Sequence, residues 1–204
     1  MLNLIKKDAL VQKSIISLYL AIALVYLFLG TPLSFLMILL SMSVMMNAFY
    51  YEEKGNSHVL FNSLPYTRKE IVSSKYIGTL FYTAVIIGVI YVGNLIVNGK
   101  DVSFSWKDML FTFGMTMTLI AVIFPFFYKF KQQFLLIAFF FLIGLFMFTY
   151  KIILYVFRDA FTEVVQWIAA LPDLQLYGSA TIIILLLYSG SWLLSIRIYN
   201  RKVF

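Results

Sequence analysis

The side chains able to do chemistry in this 204-residue chain are few, and their spacing excludes most catalysis. There is one histidine, His58, and no cysteine. Thiolate nucleophiles, disulfides and Cys-based zinc sites are therefore excluded. A lone His cannot supply the HExxH pair of a zinc hydrolase. A Ser/His protease working inside a membrane needs its His at membrane depth, whereas His58 sits in a polar loop. Only at Gly99-Lys100 is Gly followed directly by Lys, and Asp101 comes next. No G-x-x-x-x-G-K-[ST] phosphate loop exists, so ATP cannot bind here through one. Ion-coupled transporters usually carry ionisable groups at mid-membrane. Lys151 is the one borderline case, and its long stem lets its ammonium reach an interface.

The segment 50–76 is different. It holds seven of the 25 charged residues: Glu52, Glu53, Lys54, Arg68, Lys69, Glu70 and Lys75. Thr67-Arg68-Lys69-Glu70, followed by Ile71-Val72, is a capping box. The Thr67 hydroxyl can accept from the Glu70 amide while the Glu70 carboxylate reaches back to the Thr67 amide. This predicts a helix starting at about Thr67 and continuing into the apolar run beyond, with Pro65 setting the turn before it. Upstream, Val59, Leu60, Phe61 and Leu64 cluster between polar residues. Such an apolar face suits docking to a partner or lying on lipid headgroups.

The elements that position this loop are membrane helices. Hydrophobic residues make up 62% of the chain and charged residues only 12%, against about half and a quarter in soluble domains. So little charge cannot cover a water-facing surface, and 21 Phe with 14 Tyr exclude disorder. The predicted fold class is all-α, a polytopic membrane protein of six spans. They are Val11–Leu29, Leu33–Tyr50, Tyr76–Val97, Met109–Tyr128, Phe134–Tyr150 and Tyr177–Ile196. At ~1.5 Å per residue each matches a hydrocarbon core of about 30 Å. Gly30-Thr31-Pro32 joins the first two as a hairpin. Lys6, Lys7 and Lys13 precede a run long enough to span, with no small-residue cleavage site after it, which reads as a first span and not a removed signal.

Charge orients the spans. Lys6, Lys7, Lys13, Lys54, Arg68, Lys69, Lys75, Lys129, Lys131, Arg197, Arg201 and Lys202 fall on one side; Lys100, Lys107, Lys151 and Arg158 fall on the other. The Lys/Arg excess puts both termini in the cytoplasm. It also explains the net charge of +7 without nucleic acid as a partner. Phe157, Phe161, Val164, Val165 and Ile168 share one helix face, so residues 157–172 read as a short amphipathic helix on the outer surface. Ser41, Ser43, Asn47, Asn94, Thr112, Thr116 and Thr118, with Gly114, are expected to act as glue between helices. Trp106, Trp167 and Trp192 are expected at membrane interfaces.

At the loop between spans two and three the chain resembles the ABC-2 type permease family, in particular its small six-span bacterial members. The residues carrying the resemblance are Tyr51-Glu52-Glu53-Lys54 and the run Ser63-Leu64-Pro65-Tyr66-Thr67-Arg68-Lys69-Glu70-Ile71-Val72-Ser73-Ser74-Lys75-Tyr76. Permeases of phenol-soluble-modulin and lantibiotic-type peptide exporters look similar. The resemblance implies one transmembrane domain over 1–204, in the bacterial cell membrane, with surrounding lipid. Its partners would be a pair of ABC ATPase subunits and a second permease copy or paralogue. ATP and Mg would bind to the ATPase, leaving this chain with no cofactor and no enzymatic role. The coupling loop, 51–66, would fall on Glu52, Glu53, Lys54, His58, Val59, Leu60, Phe61 and Leu64, with Thr67 and Glu70 capping the helix after it. Residues 1–12 would form an interfacial elbow helix. Spans one, two and five would line a path for amphipathic peptides or other hydrophobic substrates. Two other readings stand beside it: the substrate-binding six-helix subunit of a vitamin-type importer, and an immunity or sensor permease that does not transport.

Overall fold

The structure is a computed structural model. It describes residues 2–11, 32–54, 67–98, 105–131 and 172–201, with helical positions at 18–19, 21–23, 25–26, 134–135, 137, 141, 149, 162–163 and 166. The described residues form five helices: α1 (Leu2–Val11), α2 (Leu33–Lys54), α3 (Arg68–Asn98), α4 (Trp106–Lys129) and α5 (Asp173–Arg201). No strand occurs among them. Among the described residues, four stretches are long and apolar enough to cross a membrane: Leu33–Glu52, Arg68–Val97, Trp106–Lys129 and Gln175–Arg201. Most of the expected first and fifth spans, and of the outer helix at 157–172, lies outside the described residues, as do Lys151 and Trp167.

Helix ends follow local chemistry. α3 begins eight residues before the apolar run, at the Thr67 cap. The Thr67 amide donates to Glu70 Oε2 at 2.8 Å, and the Glu70 amide donates to Thr67 Oγ1 at 3.2 Å. α4 starts with a second capping box, in which the Ser105 amide donates to Asp108 Oδ2 at 2.7 Å. Pro125 lies in the last part of α4. It has no amide proton to give the carbonyl of Ala121, four residues back. Ser191 Oγ on α5 donates to that carbonyl instead. A helix-breaking residue thereby becomes a joint between helices.

Contacts at the helix ends set their directions. Lys107 at the start of α4 pairs with Asp173 at the start of α5, at 2.6 Å. At the other end the rings of Tyr128 and Tyr199 meet edge to face. α4 and α5 are therefore parallel. Arg68 at the start of α3 donates to the Asn200 carbonyl at the end of α5, at 2.9 Å, so α3 runs against them. Phe49 near the end of α2 packs on Phe124 and Tyr128 of α4. The end of α2, the start of α3 and the ends of α4 and α5 thus share one face of the bundle. α1 lies near that same face, where Asp8 pairs with Lys75 two turns into α3, and the Tyr82 hydroxyl farther along α3 donates to the Ile5 carbonyl.

The core centres on Tyr76, which is fully buried. Its ring stacks on Trp192 and meets Phe124 and Tyr188 edge to face. Its hydroxyl lies 2.7 Å from both Ser191 Oγ and Ser195 Oγ. Trp192 was expected at a lipid interface; its indole N–H instead donates to Ser73 Oγ, inside the bundle. Trp106 is 62% exposed. The expected glue is mostly inward-looking. Ser43, Thr112, Thr116 and Thr118 donate to carbonyls four residues back in their own helices. That carbonyl lies within reach of every helical Ser or Thr, so no neighbour is needed to satisfy the hydroxyl. Asn47 reaches another expected span, where it contacts the Tyr19 hydroxyl.

Candidate coupling site

The face where these helix ends gather holds a buried charge cluster. It starts from a stripe on α3. Ile71, Lys75, Thr79 and Thr83 recur every four residues, which keeps them on one side of the helix. All four are buried, at 5%, 3%, 0% and 1% exposure. A lysine on that stripe must find carboxylates, because an unpaired ammonium in a low-dielectric interior costs several kcal/mol. Two carboxylates reach it. Lys75 Nζ lies 2.8 Å from Asp8 Oδ2 on α1 and 2.9 Å from Glu52 Oε1 on α2. Lys7 Nζ closes the group, 2.9 Å from Glu52 Oε1 and 3.3 Å from Asp8 Oδ1. Two positive and two negative charges make the cluster neutral. The Phe49 ring lies under the Lys75 ammonium at 5.4 Å, a further cation–π contact.

This geometry joins three elements with four side chains. Glu52 is in the last turn of α2 and Lys75 two turns into α3, so they bracket the loop between the helices. Asp8 and Lys7 bring α1 to the same point. Chemically the arrangement is a clamp. It fixes where the chain leaves α2 and where it enters α3.

The loop residues expected from the sequence sort as follows. Glu52 points inward and is paired, with its side chain 14% exposed. Glu53 and Lys54 end α2. His58, Val59, Leu60, Phe61 and Leu64 lie outside the described residues. Thr67 and Glu70 exchange the capping hydrogen bonds given above. Sequence reasoning missed Asp8 altogether and counted Lys75 as a loop charge, whereas Lys75 is buried in the bundle. The signal was present: Lys75 shares a helical stripe with Ile71, and Asp8 is the only acid before residue 52.

No curated protein and no solved structure matches the chain. Residues 3–200 match the family described as ABC-2 family transporter protein. That match takes in α1, both ends of the clamp and almost all of α5. The chain belongs to this family, and is accordingly a membrane permease subunit of an ABC transporter that works with an ABC ATPase.

Proposed function

We propose that this subunit forms one half of a translocation path in the bacterial plasma membrane, beside a second copy or a paralogue. It has six spans and cytoplasmic termini, and ATP with Mg binds on the ATPase pair. The loop from Glu52 to Leu64 carries the ATPase stroke into the membrane. Val59, Leu60 and Phe61 seat in the ATPase, with Glu53, Lys54 and His58 around them. The exported substrates are amphipathic peptides or other hydrophobic molecules, which suits a chain with 19% aromatic residues.

The observation that carries this reading is the clamp. A loop that transmits force needs both of its ends fixed to the helices it moves. Here Lys75 ties the return of the loop to Glu52 at its departure and to Asp8 on α1. The span count draws support from helix directions. α1 lies at the clamp face and α2 starts at the opposite one; α4 ends at the clamp face and α5 starts at the opposite one. These directions are the ones a six-span chain would give to the four apolar helices described. The clamp face holds the ends rich in Lys and Arg, which favours the cytoplasm.

The test is co-purification with a candidate ABC ATPase. Leu60→Asp with Phe61→Asp should abolish it while leaving the permease in the membrane. Unchanged association would sink the docking assignment. The chain has no native Cys, so His58→Cys can report topology. It should react with a membrane-impermeant maleimide only after the cell is opened; labelling of intact cells would reverse the orientation.

A further inference from the structure

Between α4 and α5 lies an open groove of about 800 Å3. Val122 and Phe126 on α4 and Leu187 and Leu194 on α5 form its walls. Each is about half exposed, at 58%, 49%, 50% and 48% respectively. Lys129 and Arg201, in the last turns of the two helices, line the same groove at one end. Both are exposed, and neither pairs with a carboxylate among the described residues. Lys129 Nζ rests 5.2 Å over the Phe130 ring, a contact that leaves it able to take an anion.

The length of the groove limits what can fill it. Val122 to Lys129 and Leu187 to Arg201 span roughly 10 and 20 Å of helix at ~1.5 Å per residue. A hydrocarbon core is about 30 Å thick. The groove therefore reaches about one leaflet deep and is no transmembrane passage. It is apolar along its length and doubly cationic at the interface end. A second copy of the chain fits this poorly. Two copies in one membrane hold Lys129 and Arg201 at the same depth, so packing along this groove would bring like charges together.

We propose that the groove binds one anionic glycerophospholipid of the adjoining leaflet. An acyl chain lies between α4 and α5, and the phosphate sits on Lys129 and Arg201. Both cations belong to the ends of helices that Ser191 and Tyr76 hold together, so the lipid bridges the α4–α5 pair where the clamp face meets the headgroups. The inference needs the chain to be in a membrane; it does not depend on the substrate or on how the ATPase docks.

Native mass spectrometry of the full chain released from nanodiscs of phosphatidylcholine and phosphatidylglycerol tests it. The expected result is one phosphatidylglycerol retained per chain in preference to phosphatidylcholine. Lys129→Gln with Arg201→Gln should lower that retention about thirtyfold, the order expected for losing two basic contacts at a membrane surface. Lys131→Gln with Arg197→Gln removes two exposed basic residues that do not line the groove, and should leave it unchanged. Val122→Trp with Leu194→Trp fills the groove with every charge kept, and should also release the lipid. Three results would overturn the proposal. One is an equal loss in the Lys131/Arg197 variant, which would mean a diffuse basic field. Another is equal retention of phosphatidylcholine, which would mean annular lipid only. The third is efficient disulfide cross-linking of Leu194→Cys chains, which would put a second copy in the groove.

Discussion

Lys75 on α3 and Glu52 on α2 form a 2.9 Å ion pair that closes the base of the loop between the two helices. The Lys75 side chain is 2% exposed and that of Glu52 is 14% exposed, so water screens the pair little. Removing one partner of a buried pair costs about 3–5 kcal/mol, because the other is left uncompensated. Lys75→Met should lower the unfolding free energy in detergent by about that amount. The exchange Glu52→Lys with Lys75→Glu should recover only part of it, because Asp8 would then face Glu at position 75. Adding Asp8→Lys together with Lys7→Glu, which inverts all four charges and keeps the cluster neutral, should recover more. A Lys75→Met variant as stable as wild type would mean that the pair contributes nothing.

The clamp and the loop should also separate in function. Lys75→Met is expected to keep ATPase binding while uncoupling ATP turnover from transport, because the docking residues are untouched. Leu60→Asp with Phe61→Asp should lose binding itself. Transport and ATPase assays on reconstituted complex distinguish the two.

Pro125 and Ser191 make a sharper test, since each explains the other. Ser191→Ala leaves the Ala121 carbonyl without its donor and removes one partner of the Tyr76 hydroxyl. The expected cost is about 1–3 kcal/mol, the usual penalty for an orphaned buried group. Pro125→Ala restores an amide that can serve the same carbonyl. The Pro125→Ala change should therefore be more favourable in the Ser191→Ala background than alone. Simple additivity in denaturant unfolding would refute the linkage.

Gly114 on α4 faces Ile184 on α5. A Cβ there would lie 2.9 Å from Ile184 Cδ1, the mobile tip of a long side chain. Gly114→Ala should be tolerated within about 1 kcal/mol, as Ile184 turns aside. Gly114→Val brings a branched Cβ and should cost about 1–3 kcal/mol by overpacking. Thermal stability in one detergent ranks the two.

The Thr67 cap acts locally. Thr67→Ala removes the acceptor for the Glu70 amide and should cost about 1 kcal/mol. Amide exchange should quicken over residues 68–71, while Lys75 and the core stay protected. Faster exchange throughout α3 would mean that the cap holds up more than its own turn.

What could be read from the sequence, and what could not, divides along range. The start of α3 was legible because Thr67 and Glu70 lie three residues apart and need nothing else to make a cap. The Ser105-Trp106-Lys107-Asp108 box at the start of α4 follows the same logic with a shorter acid. The apolar helices were legible from length and composition. The clamp was not, because Asp8, Glu52 and Lys75 are distant in the chain, and a lysine at a helix end is more often a flanking charge than a buried one. Trp192 misled for a related reason. Its place near a span end fits a lipid interface, and only the packing of α3 against α5 shows that Ser73 takes its N–H. Pro125 could be marked as a break in α4, but not the hydroxyl on another helix that repairs it.

The two polar centres of the bundle also differ in when they can form. All four charges of the clamp belong to the first 75 residues, whereas the Tyr76 hydroxyl waits for Ser191 and Ser195. A ribosome adds roughly 5–20 residues per second. The most costly burial, that of Lys75, can therefore be neutralised within the nascent chain several seconds before the last helix is made. Biogenesis then proceeds from a sealed N-terminal part, and the late-arriving α5 brings an exposed ion pair through Asp173 but no buried charge to match.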